Sequence, residues 1–299
     1  MGIFKSIIIY RKAYKNWFSV LYKQYRIQNN TQNKTIELIK IDLRNGNQTL
    51  TVSCGLVSAY AHVLNTTNPK INNVYIHENV LFFSYDGYDI RFVLGNNWDI
   101  SASFLNEEYN FLNVQGEDVI DIGANIGDTA IFFALKGANR VISLEPYPAT
   151  FELAQENINF SEFKKKIHLV NAGYGEDKKI KIDSSFVPDN GSEIKESANG
   201  VEIDTYSLAS LIDRYGINSC VLKMDCEGSE YNLLNEKNEI IKHFSRIQIE
   251  YHYGYEKLIA KLKECGFSTK YTEPVKGYNS SSDKTMLIGY IFAEKTVNV

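Results

Sequence analysis

From about residue 106 the chain alternates apolar runs of strand length with stretches of helical period, then ends on two strand-like runs with no helix between them. The runs Val119–Ile122, Arg140–Leu144, Ile167–Asn171, Cys220–Met224 and Arg246–Tyr251 are separated by helical stretches, and a helix over Tyr255–Cys265 follows the last. A helix between consecutive strands allows them to pair in parallel, whereas strands joined by a loop alone must run antiparallel. The closing pair, Ser268–Thr272 and Thr285–Phe292, is therefore expected as an antiparallel hairpin on a parallel sheet. The fold class that follows is α/β: a seven-strand Rossmann-like sheet, mostly parallel with its last strand antiparallel, covered by helices on both faces. Ligands of such sheets sit outside the carboxyl ends of the strands.

Residues 1–105 read as a separate cover or substrate lid, an N-terminal helix followed by a small β-rich part, and 106–299 as the main domain. Thr35–Arg44 and Thr49–Ser53 suit strands joined by the turn pair Asn45-Gly46, Gly55–Asn65 suits a helix, and three short strands are expected between Val74 and Leu94. Met1–Arg26 carries Lys5, Arg11, Lys12, Lys15, Lys23 and Arg26 with no acid, and Ile3, Phe4, Ile7, Ile8, Tyr14, Trp17, Phe18 and Leu21 recur at helical spacing. One reading is a helix that packs on the main domain or caps a dimer. The other is peripheral membrane contact through an amphipathic helix. The aromatic face would serve either, which favours the first.

A net charge of -4 and a pI near 5.8 give no general pull towards nucleic acid. No basic and aromatic stripe occurs outside residues 1–26, so nucleic acid is not an expected partner. Cys54, Cys220, Cys226 and Cys265 lack metal-ligand spacing and read as free thiols of a reducing, cytoplasmic compartment. No run approaches the roughly 18 apolar residues of a membrane span.

Taken strand by strand, the carboxyl ends collect a recognisable set. The first strand enters Asp121-Ile122-Gly123-Ala124-Asn125-Ile126-Gly127, whose glycines let a ligand approach the backbone and whose following helix offers unpaired N–H groups. Glu145-Pro146 follows the second strand, 22 positions beyond Gly123, where a carboxylate can accept both hydroxyls of a ribose. Asn171 and Ala172 after the third are placed to flank an adenine edge. Asp225-Cys226-Glu227-Gly228-Ser229-Glu230 follows the fourth, and Glu250, Tyr251 and His252 close the fifth. A nicotinamide dinucleotide would lay its pyrophosphate on the turn, amid Asp121, Asp128, Glu145, Asp225 and Glu227. These acids would repel it, and the spacing is Gly-x-Asn-x-Gly, not Gly-x-Gly-x-x-Gly. S-adenosyl-L-methionine, which has no phosphate and carries an ammonium and a sulfonium, suits the same acids.

The segments VIDIGANIGDTAIFFALKGA, ISLEPYPATFELAQENI and VLKMDCEGSEYNLL resemble the FkbM family of S-adenosylmethionine-dependent methyltransferases, over about residues 98–272. The resemblance implies the seven-strand methyltransferase fold. It maps the family's glycine motif to Asp121, Gly123, Asn125 and Gly127, and its ribose acid to Glu145. Its acidic segment falls on Asp225, Glu227, Gly228 and Glu230. It further implies O-methylation of a hydroxyl on a sugar, glycan or natural-product-like small molecule.

Methyl transfer from a sulfonium is an in-line displacement, so the protein positions the reactants and removes the acceptor's proton. Asp225 is the preferred general base, with Glu227 and His252 as the other candidates. Asp225 also serves if it binds the cofactor's amine or caps the helix near Ser229. Glu230 suits a helix-dipole acid, and His252 a hydrogen-bonded structural residue. A Mg²⁺ site from Asp225, Glu227, Glu230 and His252 is disfavoured because the cofactor is itself cationic, so no metal is expected. The alternative activities are an N- or protein-methyltransferase, which needs no base, and a cofactor-binding module without catalysis.

Overall fold

The computed structural model describes residues 3–29, 38–45, 48–78, 80–94, 100–183, 194, 196–279 and 284–296. The chain forms two compact units, Met1–Glu107 and Glu108–Val299, where the sequence places the division at 105/106. The turn residue Gly46, the expected strand start Thr35–Glu37 and much of the insertion between Gly175 and Gly200 lie outside the described residues.

In the first unit the expected single N-terminal helix is two, α1 (Ile3–Ala13) and α2 (Trp17–Asn29). The break has a physical cause. The strand β1 (Leu38–Asp42), paired antiparallel with β2 (Thr49–Ser53), reaches into the gap between the helices. Lys15 N–H donates to Asp42 O at 2.7 Å and Arg44 N–H to Ala13 O at 2.9 Å. The Asn16 side chain accepts from Asp42 N–H at 2.9 Å and donates to Lys40 O at 3.0 Å. Backbone groups that would have continued the helix are thus spent on the hairpin. Helix α3 (Cys54–Leu64) packs against both helices, with Val57, Tyr60, Ala61 and Val63 fully buried. A three-stranded antiparallel sheet, β3 (Ile71–His77), β4 (Val80–Tyr85) and β5 (Tyr88–Val93), completes the unit. One short turn of π-helix, Ser101–Leu105, follows it.

The second unit is built as its alternation requires. In chain order it contains β6 (Asp118–Ile122), α4 (Asp128–Leu135), β7 (Arg140–Leu144), α5 (Pro148–Phe160) and β8 (Ile167–Val170). The strands β9 (Ala172–Tyr174), β10 (Lys178–Ile182) and β11 (Val201–Tyr206), then α6 (Leu208–Tyr215) and β12 (Cys220–Met224), come next. The chain closes with α7 (Asn238–Ile241), β13 (Phe244–Tyr251), α8 (Glu256–Glu264), β14 (Phe267–Tyr271), β15 (Val275–Asn279) and β16 (Lys284–Lys295). The main sheet runs β14-β16-β13-β12-β6-β7-β8, with β15 added on β16. Pairings from β8 through β13 are parallel, and β16 is antiparallel to both its neighbours, as a loop return demands.

One expectation needed correction. The helical stretch expected between Cys220–Met224 and Arg246–Tyr251 is not one helix over Ser229–Phe244: it is a 3₁₀ stretch, Ser229–Asn235, and the single turn α7. In a separate small sheet β10 pairs antiparallel with β11, which also pairs parallel with β9.

Alternation sorts each strand between two faces. Ile120, Ile122, Ile142, Leu144, Leu222 and Met224 join α6 and α8 in one apolar core. On the opposite face, where α4 lies, the register aligns Ser143, Asp121, Lys223 and Gln248 across four neighbouring strands. All four are buried. This polar row ends directly beneath the candidate site.

Candidate active site

The turn after β6 is held by the protein itself. Gly123 has φ +84°, and a Cβ there would lie 1.8 Å from the carbonyl oxygen of Asp225; at Gly127, with φ +83°, it would lie 3.2 Å from Ala154 O and the Ile158 side chain. The N–H groups of Gly123 and Ala124 both donate to Leu144 O, at 3.0 and 2.9 Å. The Asn125 N–H donates to Glu145 Oε2 at 3.0 Å, from a left-handed backbone with φ 45°. The glycines are therefore required by strand-end packing and by turn geometry, and these three N–H groups are spent inside the protein.

Asp121 is also turned inward. Its Oδ2 accepts from Thr129 Oγ1 at 2.8 Å and from Ser143 Oγ at 3.0 Å. Its Oδ1 lies 3.1 Å from Lys223 Nζ as an ion pair, while the hydrogen bonds of that ammonium go to the carbonyls of Ile122 and Gly123 at 3.2 and 2.6 Å. Burial works against the charge on Lys223, but Asp121 and Asp225 outweigh it and hold the ammonium above its ordinary value. Asp121 thus fixes the turn from below and presents no oxygen to a ligand. Its charge, counted above against a pyrophosphate, is neutralised by Lys223.

Glu145 stands at the mouth of the turn, with Oε1 accepting from Tyr147 N–H at 3.0 Å and Oε2 from Asn125 N–H. Each oxygen keeps further hydrogen-bonding capacity beyond these N–H groups. Burial pushes its carboxyl up to about 8, against the opposing pull of those two N–H donors. Asn171 sits behind it and donates to the carbonyls of Glu145 and Pro146 at 2.9 and 3.0 Å. Ala172 is buried within β9.

The ends of β12 and β13 bring Asp225, Glu227, Glu230, Glu250 and His252 together. Glu230, fully buried, accepts from Gly228 N–H at 2.7 Å through Oε2; its Oε1 takes His252 N–H at 3.0 Å and His252 Nδ1 at 2.9 Å. Across the ring, His252 Nε2 lies 3.1 Å from Glu227 Oε2. Burial lowers the imidazole, but Glu227 and Glu230 overcome it and hold His252 well above its ordinary value. A ring protonated on both nitrogens has no lone pair with which to take a proton. With both ring nitrogens turned to carboxylates, His252, named above as a candidate base, is placed to hold Glu227 and Glu230. Glu230, read from sequence as a helix-dipole acid, is its anchor. The cap reading of Asp225 falls too, since the Gly228 N–H belongs to Glu230.

Asp225 is half-buried, its Oδ2 3.4 Å from the Tyr109 hydroxyl. Burial, then the charge of Asp225, drives Glu250 up to about 9, so its carboxyl carries a proton at neutral pH and hydrogen-bonds Asp225. Oxygen and nitrogen atoms of Asp225, Glu227 and His252 lie within 4.8 Å of one another, close enough to share a metal ion, but Nε2 is committed to Glu227. A cavity of about 650 Å³ opens against the small sheet of β9, β10 and β11, and Ser229 is the residue of the Asp225–Glu230 segment after β12 that reaches it. Tyr174, Ser207, Ser229, Asn232 and Asn235 line it, with Glu176, Asp177, Glu196 and Glu236 against the single Lys178.

Lys223 and Tyr109 were missed by sequence reasoning as members of the site, and Glu250 was named at the end of the fifth strand without a role. Lys223 had a signal, a lone cation inside the apolar run Val221–Met224. Tyr109, on the short turn before the sheet, had none.

The chain is similar to several solved structures. A precorrin-6y C5,15-methyltransferase from Geobacter metallireducens is 15% identical, with 64% of this chain and 87% of that one covered and a TM-score of 0.37. An rRNA methylase from Streptococcus thermophilus is 12% identical, covering 64% and 95%, with a TM-score of 0.38. An O-methyltransferase from Bacillus cereus in complex with SAH is 12% identical, covering 64% and 80%, with a TM-score of 0.37. A search of curated proteins returned no match. A family model, the methyltransferase FkbM domain, matches residues 121–269, which span the turn, Glu145, the acidic cluster and His252, and through this segment the chain belongs to the FkbM methyltransferase family.

Proposed function

We propose that the chain is an S-adenosylmethionine-dependent O-methyltransferase whose acceptor is a hydroxyl on a glycan or another polyhydroxylated small molecule. One observation carries the cofactor reading: Asp225, Glu227 and Glu250 converge beside the turn with His252 as their close cation, and Glu250 is driven to about 9 by burial and by Asp225 and Glu227, against the pull of His252. Such a cluster favours a cationic ligand. At the turn the Glu145 carboxylate already occupies the Asn125 N–H that a phosphate would need.

The bound cofactor supplies a methyl group activated by sulfonium. Glu145 meets the ribose hydroxyls with the hydrogen-bonding capacity its two oxygens keep, with Asn171 and Pro146 fixing its loop. Asp225, the acid not committed to the imidazolium, takes the proton of the acceptor hydroxyl. Glu230 and His252 hold Glu227 in place beside it. The cavity next to Ser229 receives the acceptor: its hydroxyl, amide and carboxyl lining suits a polyol, and its acids oppose a polyanion such as nucleic acid.

The test is transfer of label from S-adenosylmethionine into a glycan and metabolite extract, followed by kinetics on the identified acceptor. Asp225→Asn is expected to lower kcat about 100-fold or more while S-adenosylhomocysteine still binds in calorimetry. Near-wild-type turnover in both Asp225→Asn and Glu227→Gln would instead fit an amine acceptor, which needs no base. Binding of NAD in place of S-adenosylhomocysteine would sink the cofactor assignment.

A further inference from the structure

Helix α2 has two faces with different work. Val20 and Gln24 are buried, with Gln24 accepting from the Tyr10 hydroxyl of α1 and donating to Cys54 O at 3.4 Å. Tyr14 is buried as well and donates to Val57 O of α3. This side packs within the first unit, against α1 and α3. On the other side Phe18, Tyr22 and Tyr25, spaced i, i+4 and i+7, are 69%, 57% and 56% exposed. Ile8 of α1 is 57% exposed. Lys23 and Arg26 border this stripe on α2, and Arg11, Lys12 and Lys15 are exposed nearby in the chain. The first acidic residue of the sequence is Glu37, after seven lysines and arginines, although the whole chain carries a net charge of -4.

We propose that this face of α1 and α2 seats the protein on an anionic lipid bilayer. Large aromatic side chains grouped on one exposed stripe mark a contact surface. Phenylalanine and tyrosine suit the boundary between headgroup and acyl chain, and clustered Lys and Arg are drawn to anionic headgroups. The cations border the aromatic stripe, as on a helix lying flat in an interface. Base stacking on single-stranded nucleic acid instead uses a groove that tracks the strand, whereas these side chains project from the convex side of a helix. An acidic protein partner would use the cations but has no matching need for Phe18, Tyr22 and Tyr25 beside them.

Full-length protein is sedimented with vesicles of phosphatidylcholine alone or with about 30% phosphatidylglycerol. Partitioning onto the anionic vesicles is expected to be about 10-fold stronger, and to weaken sharply between about 0.1 and 1 M salt. The triple substitution Phe18→Ala, Tyr22→Ala, Tyr25→Ala and, separately, Lys23→Glu with Arg26→Glu should each lower it about 10-fold. Thermal unfolding should stay unchanged, because all five side chains are exposed. Equal binding to both vesicle types, no binding to either, or full binding by the aromatic variant would overturn the proposal. So would an oligonucleotide bound more tightly than the anionic vesicles, or a dimer in sedimentation velocity that the triple substitution abolishes.

Discussion

Lys223 is the residue on which the site's electrostatics turn. A buried ammonium between Asp121 and two carbonyls is tolerable only because all of its partners are present. Lys223→Met leaves Asp121 charged and unpaired, and should cost about 3 kcal/mol or more by urea unfolding. Adding Asp121→Asn to it should recover part of that loss, because the pair is coupled. His252 offers a second reading at this scale. With Glu230→Gln the ring loses an anionic partner on Nδ1, so its titration, followed by NMR, should move towards the ordinary histidine range. If instead His252 is a metal ligand, EDTA would abolish activity and Mg²⁺ restore it. Activity unaffected by EDTA is the expected result. Little of this was legible beforehand. The sequence named the carboxylates, but which of them is paired depends on side chains that meet only across strands.

At the scale of the element, the turn after β6 and the cap of α6 contain glycines with similar backbones and different surroundings. Gly123→Ala would drive a Cβ to within 1.8 Å of the Asp225 carbonyl at φ +84°, whereas at Gly216, with φ +58°, nothing lies within 4 Å. The first substitution should push β6 and β12 apart, abolish S-adenosylhomocysteine binding and unfold the protein at markedly lower denaturant. The second should cost only about 1 kcal/mol of left-handed backbone strain. Calorimetry and urea midpoints on the two variants separate these outcomes. The elements themselves were largely readable, because period and strand length are local. The N-terminal helix was misjudged where the hairpin of β1 and β2 captures its backbone at Lys15, and Ser229–Phe244 where Glu230 turns inward to His252. In both places a long-range partner outweighed a local pattern.

For the whole molecule, Glu145, Glu250 and His252 share a sign. Each is held above its ordinary value in the folded chain, the acids to about 8 and about 9. Their contribution to stability is fully present below the unfolded values and is lost as pH rises through the folded ones. Ligand-free protein should therefore lose stability steadily between about pH 5 and 9, measurable as falling urea midpoints. A cationic ligand that favours the ionised cluster should flatten that decline and bind more tightly as pH rises. If the midpoints rise over this range, the three groups are not held as described.

The sequence by itself determined the parallel sheet and its antiparallel return, because helix-length connections and a loop return admit no other pairing. It also marked out a candidate site, since the strand ends carry Gly123, Glu145, Asp225 and His252 in order. Only the tertiary structure decided what those residues do there. The register of β7, β6, β12 and β13 brings Ser143, Asp121, Lys223 and Gln248 into one row, and the ends of β12 and β13 close Glu227 and Glu230 on His252. Charge pairing is a property of distances across strands, and a one-dimensional pattern does not contain them.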